Sequence, residues 1–481
     1  MDTATHHRPS LAASLVARAF EPTGFAPEVM AKARMCLLDY LSCAFEAMDL
    51  PWSRQAAALA RPMPSGSHVV GRAGAYAAGD AAFANAVAGH GLVREDMHAA
   101  SIAHLGVVVW PTLLALAETA GRPVSGRALL TAAVVGYETG AQLGKAVMST
   151  ELARLFRPTG LVGPYAAALS GARLLGLTRQ QALDAFALAG NCSAGLNEWP
   201  RHGGSEMYFH PGFAVRNAIA CIELAAAGAS GSATILEGEA GFFAAYGRGP
   251  ADARAHASQA MAALTLFGDG APQIMSVFNK AAPACNFAQS PCQAALAVAA
   301  RVPGGSDGSG GSRRIVSVRV ETTAAAVAYP GCDAVGPFGN VLQAKMSILF
   351  GVAATLARGA IEEEGFRRLD DPEIVRLIGL TTLVADAAFT ASFPARQGAR
   401  VTVGLDDGSE ISQSLPDVQA ADDALIRRRF IAAASKVLGA ASAAAIERRV
   451  DGLEDEPDAG HLARLCAPPD SPVPFHSPGS R

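Results

Sequence analysis

The stretch "VVVWPTLLALAETAG", residues 107–121, decides how this chain folds. It carries no charge before Glu118, and its apolar residues fill every face of a 3.6-residue helix. An amphipathic surface helix has one apolar stripe, whereas one apolar all round must be enclosed by others. The stretch predicts a core helix, and hence a helical bundle large enough to surround it.

The neighbouring segments supply that bundle. "PEVMAKARMCLLDYLSCAFEAM", "AAGDAAFANAVAGHGL", "SGRALLTAAVVGYETGAQLGKAV" and "GPYAAALSGARLLGL" all space their apolar residues helically. Ser125-Gly126 precedes one helix, Thr178 is placed to N-cap another, and Gly190 can end it. Half of the 481 residues are hydrophobic and only 17% are charged, which suits a large interior. The abundance of alanine favours closely packed helices. Residues 1–274 therefore read as the first part of a helical domain.

The pattern changes near residue 275. "RVPGGSDGSGGSRR" (301–314) has the composition of a flexible loop. "IVSVRVET" alternates as a half-buried strand does, "LIGLTTLVAD" is a second strand candidate, and "RVTVGLDDGSEISQSL" reads as a hairpin turning at Asp407-Gly408. "QAKMSILFGVAATLARG" reads as a helix ending at Gly359. Residues 275–416 form an expected α+β domain inserted into the helical one. The helical domain resumes over 417–462, and 463–481 has a Pro/Ser-rich, disordered composition. The fold class is thus mainly α, with both chain ends building the large domain.

Composition excludes several functions. A net charge of -4 offers no basic excess for nucleic acid. The eight cysteines form neither a CxxC pair nor a zinc spacing, and read as free thiols in a reducing compartment. The first residues lack a signal-peptide pattern, and no run reaches the roughly 18 apolar residues of a membrane span. A soluble, cytoplasmic protein is expected, with no nucleic-acid or membrane partner.

Candidate chemistry lies just before the core helix. "GLVREDMHAASIAHLG" (91–106) places Asp96, His98 and His104 where they can converge. Acid/base work needs a group titrating near neutral pH beside one that orients it. A solvated loop between helices fits the same residues. In "RLFRPTGLVGPYAAALSGARLLGL", Arg157 stands at a helix start and can grip a carboxylate bidentately. "RHGGSEMYFHPGFAVRNA" brings His202, His210 and Arg216, with no spacing for a metal pair. Lys280 in "FNKAAPACNFAQSPCQ" can bind a carboxylate if buried, and Cys285 follows it. Tyr329, in "AYPGCDAVGPFGNVLQAKMSIL", can point into an interdomain cleft. No phosphate-binding, dinucleotide-binding or nucleophile-elbow motif occurs.

Taken in order, "ANAVAGHGLVREDMH", "FRPTGLVGPYAAALSGARLLGL", "HPGFAVRNA", "FNKAAPACNFA", "GPFGNVLQAKMSILFGVAATLARG" and "VTVGLDDG" resemble the MmgE/PrpD family over about residues 10–450. The resemblance implies a helical domain with an inserted α+β lid, a homodimer, and no cofactor; the absence of metal-ligand spacing adds the expectation of no metal. It implies proton transfer beside a carboxylate, coupled to dehydration, decarboxylation or epimerisation. Glu95, Asp96, His98 and His104 match family positions, as do Lys280 and, at the lid, Tyr329. Val93 stands where the family has an aspartate, Arg157 where it has a histidine, and Met207 where its decarboxylases have a lysine. An arginine in place of a histidine substitutes a permanent cation for a titratable group, and so favours anion binding. The expectation is a cofactor-independent lyase, foremost a dehydratase, acting on a small hydroxy-carboxylate. His104 leads as acid/base with Asp96 or His98. Arg157 and Lys280 bind carboxylate, and His210 and Tyr329 line the pocket. The alternatives are an isomerase or epimerase, a decarboxylase, or a non-catalytic member that only binds ligand.

Overall fold

A computed structural model describes residues 9–247, 251–303 and 314–469. Most of the Gly/Ser-rich run at 301–314 and most of the tail expected from 463 lie outside them. Where that tail is described, the helix Gly460–Leu465 carries the chain past 463 and Cys466 is buried. The fold is mainly α.

Six helices of the body surround the site: α1 (Pro27–Ala47), α2 (Ala78–His90), α3 (Gly106–Thr119), α4 (Gly126–Val147), α5 (Pro158–Leu175) and α6 (Glu206–Ala226). The segment that opened the sequence reading is α3, and every residue from Gly106 to Ala117 is buried. It packs against all five of the others. Each Val or Leu buried there contributes about 1.5–3 kcal/mol, so α3 is held by its surroundings rather than by propensity. Close approach depends on Gly136 and Gly140 of α4, where a Cβ would come within 2.8 Å of Val109 and 2.4 Å of Leu105. Caps fall where expected: Ser125 accepts from Ala128, and Thr178 with Gln181 forms a capping box.

The α+β part holds a four-stranded sheet of β1 (Ile315–Thr322), β2 (Thr381–Ala385), β3 (Ala399–Leu405) and β4 (Glu410–Leu415), ordered β2-β1-β3-β4. β1 and β2 are parallel; the other pairs are antiparallel. Helix α7 (Gln289–Ala299) covers β3 and β4, and α8 (Ile348–Arg358) packs on α7. Two boundaries differ from the sequence reading. The expected strand "LIGLTTLVAD" begins inside the helix Pro372–Gly379, whose apolar face carries Ile374, Leu377 and Ile378. The helix expected from Gln343 breaks at Ser347, which caps α8 by accepting from Phe350. The chain then returns to the body as α9 (Asp423–Leu438), against α1.

Two large apolar cores result among the described residues, beside a small cluster of Cys43, Ala47, Leu50 and Leu92. One fills the helical body. The other crosses the seam, joining Phe83, Val87, Trp199 and Met207 of the body to Phe287, Val320 and Phe350 of the α+β part. The parts also share a two-residue antiparallel ladder, Met97–His98 with Val277–Phe278. That ladder fixes the segment before α3 against the start of the α+β part.

Candidate active site

The segment between α2 and α3 is almost wholly buried, from Gly91 to His98 and again from Ala103. This settles one of the two readings of its charges: they are not a solvated loop. Two of its residues adopt left-handed backbone, Val93 at φ 58° and Ile102 at φ 53°. Both are β-branched, for which that region is a true outlier. Both line one tight cavity of about 20 Å³ between the two parts. Strain that collects at one cavity marks a place where the surroundings impose backbone geometry for a purpose.

His104, Arg157, Lys280 and Tyr329 line that cavity together with Val93, Met207 and Cys285. Four residues far apart in sequence thus meet. His104 stands two residues before α3 begins, its backbone N–H held by Thr159 Oγ1 at 2.9 Å. Its Nδ1 lies 3.0 Å from the Asp96 carbonyl and 2.9 Å from Glu95 Oε1. Those acceptors assign the proton to Nδ1 and leave Nε2 with no partner among the described residues. Burial pushes the imidazole down to about 3, so it is neutral at neutral pH.

Behind it lies Glu95, which the sequence matches to a family position without assigning it a role. Glu95 Oε1 also takes a bond from His90 Nδ1 at 2.6 Å. His90, the last residue of α2, is fully buried, and its Nε2 accepts from Arg157 Nη2 at 3.2 Å. Arg157, His90, Glu95 and His104 therefore form one chain of hydrogen bonds. Against the cost of burial, His90, His104 and Lys280 hold the Glu95 carboxyl well below its ordinary range. The sequence signal for His90 was present: a lone histidine closing a largely apolar helix, five residues before Glu95.

Arg157 is 6% exposed and stacks over Trp199, with Cζ 5.7 Å from the ring centroid. Its Nε has no partner, and no carboxylate among the described residues pairs with it. Lys280, fully buried, donates to the Val93 carbonyl at 2.5 Å and the Ala284 carbonyl at 3.3 Å. Burial lowers its pKa, with Glu95 opposing. Tyr329 accepts from Asn197 Nδ2 at 3.4 Å, and also lines an outer pocket with Pro200 and Phe338.

Asp96 and His98 are not in this cavity wall. Asp96 turns to the core, accepting from the Gly106 N–H at 3.0 Å and from the Tyr137 hydroxyl. Burial raises its carboxyl to about 7. His98 sits against Ser101 Oγ at 2.8 Å and Gln273 Oε1 at 3.3 Å, and burial lowers it to about 4. The cause is parity. Glu95 and Met97 face His104 and the cavity, while Asp96 and His98 take the opposite side of an extended segment. His210 lies behind the wall beside Gly195, its Nδ1 unpartnered, lowered to about 3 by burial and by Arg157. His202 pairs with Glu198 outside, and Arg216 pairs with Asp80. Cys285 Sγ lies 3.9 Å from Cys332 Sγ, a contact that lowers the Cys285 thiol.

His90, Glu95 and His104 bring their ligand atoms within 4.8 Å of one another, so among the described residues they are the set that could hold a cation. The donor set suits protons better. Both Nδ1 atoms already meet Glu95, and a dication there would face Arg157 and Lys280.

Comparison with known proteins agrees with this architecture. The MmgE/PrpD N-terminal domain matches residues 13–254, and the MmgE/PrpD C-terminal domain matches residues 282–455. The chain belongs to the MmgE/PrpD family. The cavity lies where its two domains meet. Among curated MmgE/PrpD relatives, a cis-aconitate decarboxylase of Aspergillus terreus is 25% identical over 440 residues, covering 89% of this chain and 88% of its own. A cis-aconitate decarboxylase of Homo sapiens is 33% identical over 178 residues, 34% of each chain. The cis-aconitate decarboxylase-like protein oryM of Aspergillus oryzae is 31% identical over 207 residues, covering 41% of this chain and 43% of its own.

Proposed function

We propose that this chain is a cofactor-independent lyase that moves a proton beside the carboxylate of a small hydroxy acid, with dehydration as its reaction. One observation carries the reading. Arg157 is a buried cation with an unpartnered Nε and no protein carboxylate among the described residues, and it shares a cavity with a neutral imidazole whose Nε2 has no hydrogen-bond partner among them. An uncompensated buried charge is costly, so the site is arranged for an anion that is not part of the protein.

In this reading a substrate carboxylate lies on Arg157, and Lys280 adds positive charge where an enolate-like intermediate develops. His104 Nε2 takes the proton from the carbon next to the carboxylate. Glu95 keeps the other ring nitrogen protonated and stabilises the imidazolium that forms, the role a carboxylate plays behind a general-base histidine. The imidazolium then returns the proton to the departing hydroxyl, which leaves as water. Glu95 and His90 act through His104 and are positioning residues. Asp96 and His98 have no part in this scheme, because neither reaches the cavity.

Decarboxylation is a second reading, favoured by the full-length relative being a cis-aconitate decarboxylase. The test is exchange in deuterated water across a panel of small hydroxy acids and their unsaturated counterparts. Wild type should exchange the α-proton of one of them, and His104→Ala should lower the rate by about 10²-fold or more. NMR of the product separates loss of water from loss of CO2. If no acid exchanges with wild type, the chain is a binding protein and the enzymatic reading fails.

A further inference from the structure

The charges on the cavity wall can be counted. Arg157 and Lys280 are its cations, and Glu95, behind His104, takes one of them back. His90 and His104 are held neutral by burial. The wall therefore balances a single added negative charge. Nearby buried cations do not change the count: Lys345 pairs with Glu363 at 2.7 Å, Arg94 with Glu46 at 2.7 Å, and neither lines the cavity. A second or third carboxylate would have to shed its water with no cation to receive it.

Unmet hydrogen-bonding groups say what else enters. Arg157 Nε is a buried donor without an acceptor, and Asn286 Oδ1 is a buried acceptor without a donor. Both residues line the cavity. Asn286 is oriented by its own amide, which donates to Gln397 Oε1 at 2.7 Å. A bare acceptor repels a carboxylate and suits a hydroxyl. The rest of the wall is largely apolar: Val93, Met97, Ile102, Met207, Phe287 and Met346.

We infer that the cavity selects a short-chain hydroxy acid with a single carboxylate, seated with the carboxylate on Arg157, the hydroxyl on Asn286 Oδ1 and the alkyl body against Val93, Ile102 and Met207. The inference rests on the proposed function for the role of Arg157, and departs from the tricarboxylate that names the relatives.

Three tertiary hydroxy acids test it, because each step replaces one carboxymethyl group by methyl: citrate, citramalate and 2-hydroxyisobutyrate. Affinities for the full chain, measured by titration calorimetry, should rise along that series, with 2-hydroxyisobutyrate at least about tenfold tighter than citrate. Isobutyrate, which lacks the hydroxyl, should bind about tenfold more weakly than 2-hydroxyisobutyrate. Asn286→Leu should erase that last difference, whereas Asn286→Gln, which keeps a neutral amide acceptor, should retain it. Arg157→Met should lose all binding. Citrate binding as tightly as the monocarboxylate, or no binding by any of the three, overturns the inference. Exchange separates the two failures. If a tricarboxylate is exchanged by wild type and not by His104→Ala, the proposed function stands and the single-carboxylate inference falls. If 2-hydroxyisobutyrate binds in the order given but no acid exchanges, the inference stands as a statement about binding and the catalytic reading falls.

Discussion

Two adjacent backbone carbonyls hold two buried lysines, and the contrast between them separates structure from function. Leu92 accepts from Lys345 at 2.7 Å, and Val93 accepts from Lys280 at 2.5 Å. Both ammonium groups are fully buried. Lys345 also has Glu363 at 2.7 Å, and Arg94 beside it has Glu46. These charges are satisfied within the protein and tie the segment after α2 to its neighbours. Lys280 shares Glu95 with two histidines, and Arg157 has no carboxylate. Buried charge that is paired reads as structure; buried charge left over reads as a place for a ligand.

The largest expected effect breaks this contrast directly. Glu363→Gln leaves Lys345 buried without its partner and should cost about 3–5 kcal/mol in chemical denaturation. Arg157→Met removes a cation that has no ion pair, and should leave stability within about 1 kcal/mol or raise it. Equal losses in the two variants would mean that Arg157 is structural after all, and the distinction between the two regions would disappear.

Next in size is the link between Glu95 and His104. Glu95→Gln keeps the shape but removes the charge that faces the imidazolium. It should lower kcat by about 10²-fold with KM nearly unchanged, since Glu95 does not touch the substrate. A proportional rise in KM instead would place Glu95 in substrate binding.

These residues also show what the sequence could and could not convey. The all-round apolar character of α3, the alternation of β1, β3 and β4, and the caps at Ser125 and Thr178 are local signals, and local physics sets those elements. The site is a different kind of object. Val277–Phe278, nearly two hundred residues on, pairs with Met97–His98 and fixes the faces of that segment. Sequence proximity to His104 pointed to Asp96 and His98, whereas the alternation of an extended chain delivers Glu95 and Met97. Arg157 and Lys280 were legible because their neighbours signal a helix start and a domain junction. Asn286 was not, since nothing local reveals that Gln397 would claim its amide and leave its oxygen bare.

A smaller effect concerns acid. Burial holds His98 at about 4 and His104 and His210 at about 3, below an ordinary 6.5, and lowers His90 too. The unfolded chain takes up these protons below 6.5 and the folded chain does not. Stability from this source is therefore complete above 6.5 and lost as pH falls towards the folded values. Asp96 opposes it. Raised from 3.8 to about 7, it favours folding at low pH, and that contribution is lost as pH rises through 7. Burial raises the Asp39 carboxyl as well, which adds to that opposition; the four histidines outweigh the two carboxyls, so stability should fall on acidification from pH 6.5 to 4. Each histidine contributes up to about 1.4 kcal/mol per pH unit. His98→Asn, a change away from the cavity, should reduce that slope by up to one proton's worth. An unchanged slope would mean His98 titrates normally in the folded chain.

The least effect probes the strained backbone on the cavity side of the same comparison. Val93 holds a left-handed φ of 58° while its carbonyl receives Lys280. A β-branched residue there stores about 1–3 kcal/mol, which glycine would release. Glycine also forfeits the burial of the valine side chain, about 1.5–3 kcal/mol, so the two terms nearly cancel. Val107 of α3 is equally buried but helical, and glycine there loses burial and helix propensity together. Val93→Gly should therefore cost at least about 1 kcal/mol less than Val107→Gly in matched denaturant titrations. If the two cost the same, Val93 is not strained in solution. The carbonyl that holds Lys280 would then be positioned by ordinary packing, as Leu92 is for Lys345, and the two lysines would differ only in their carboxylates.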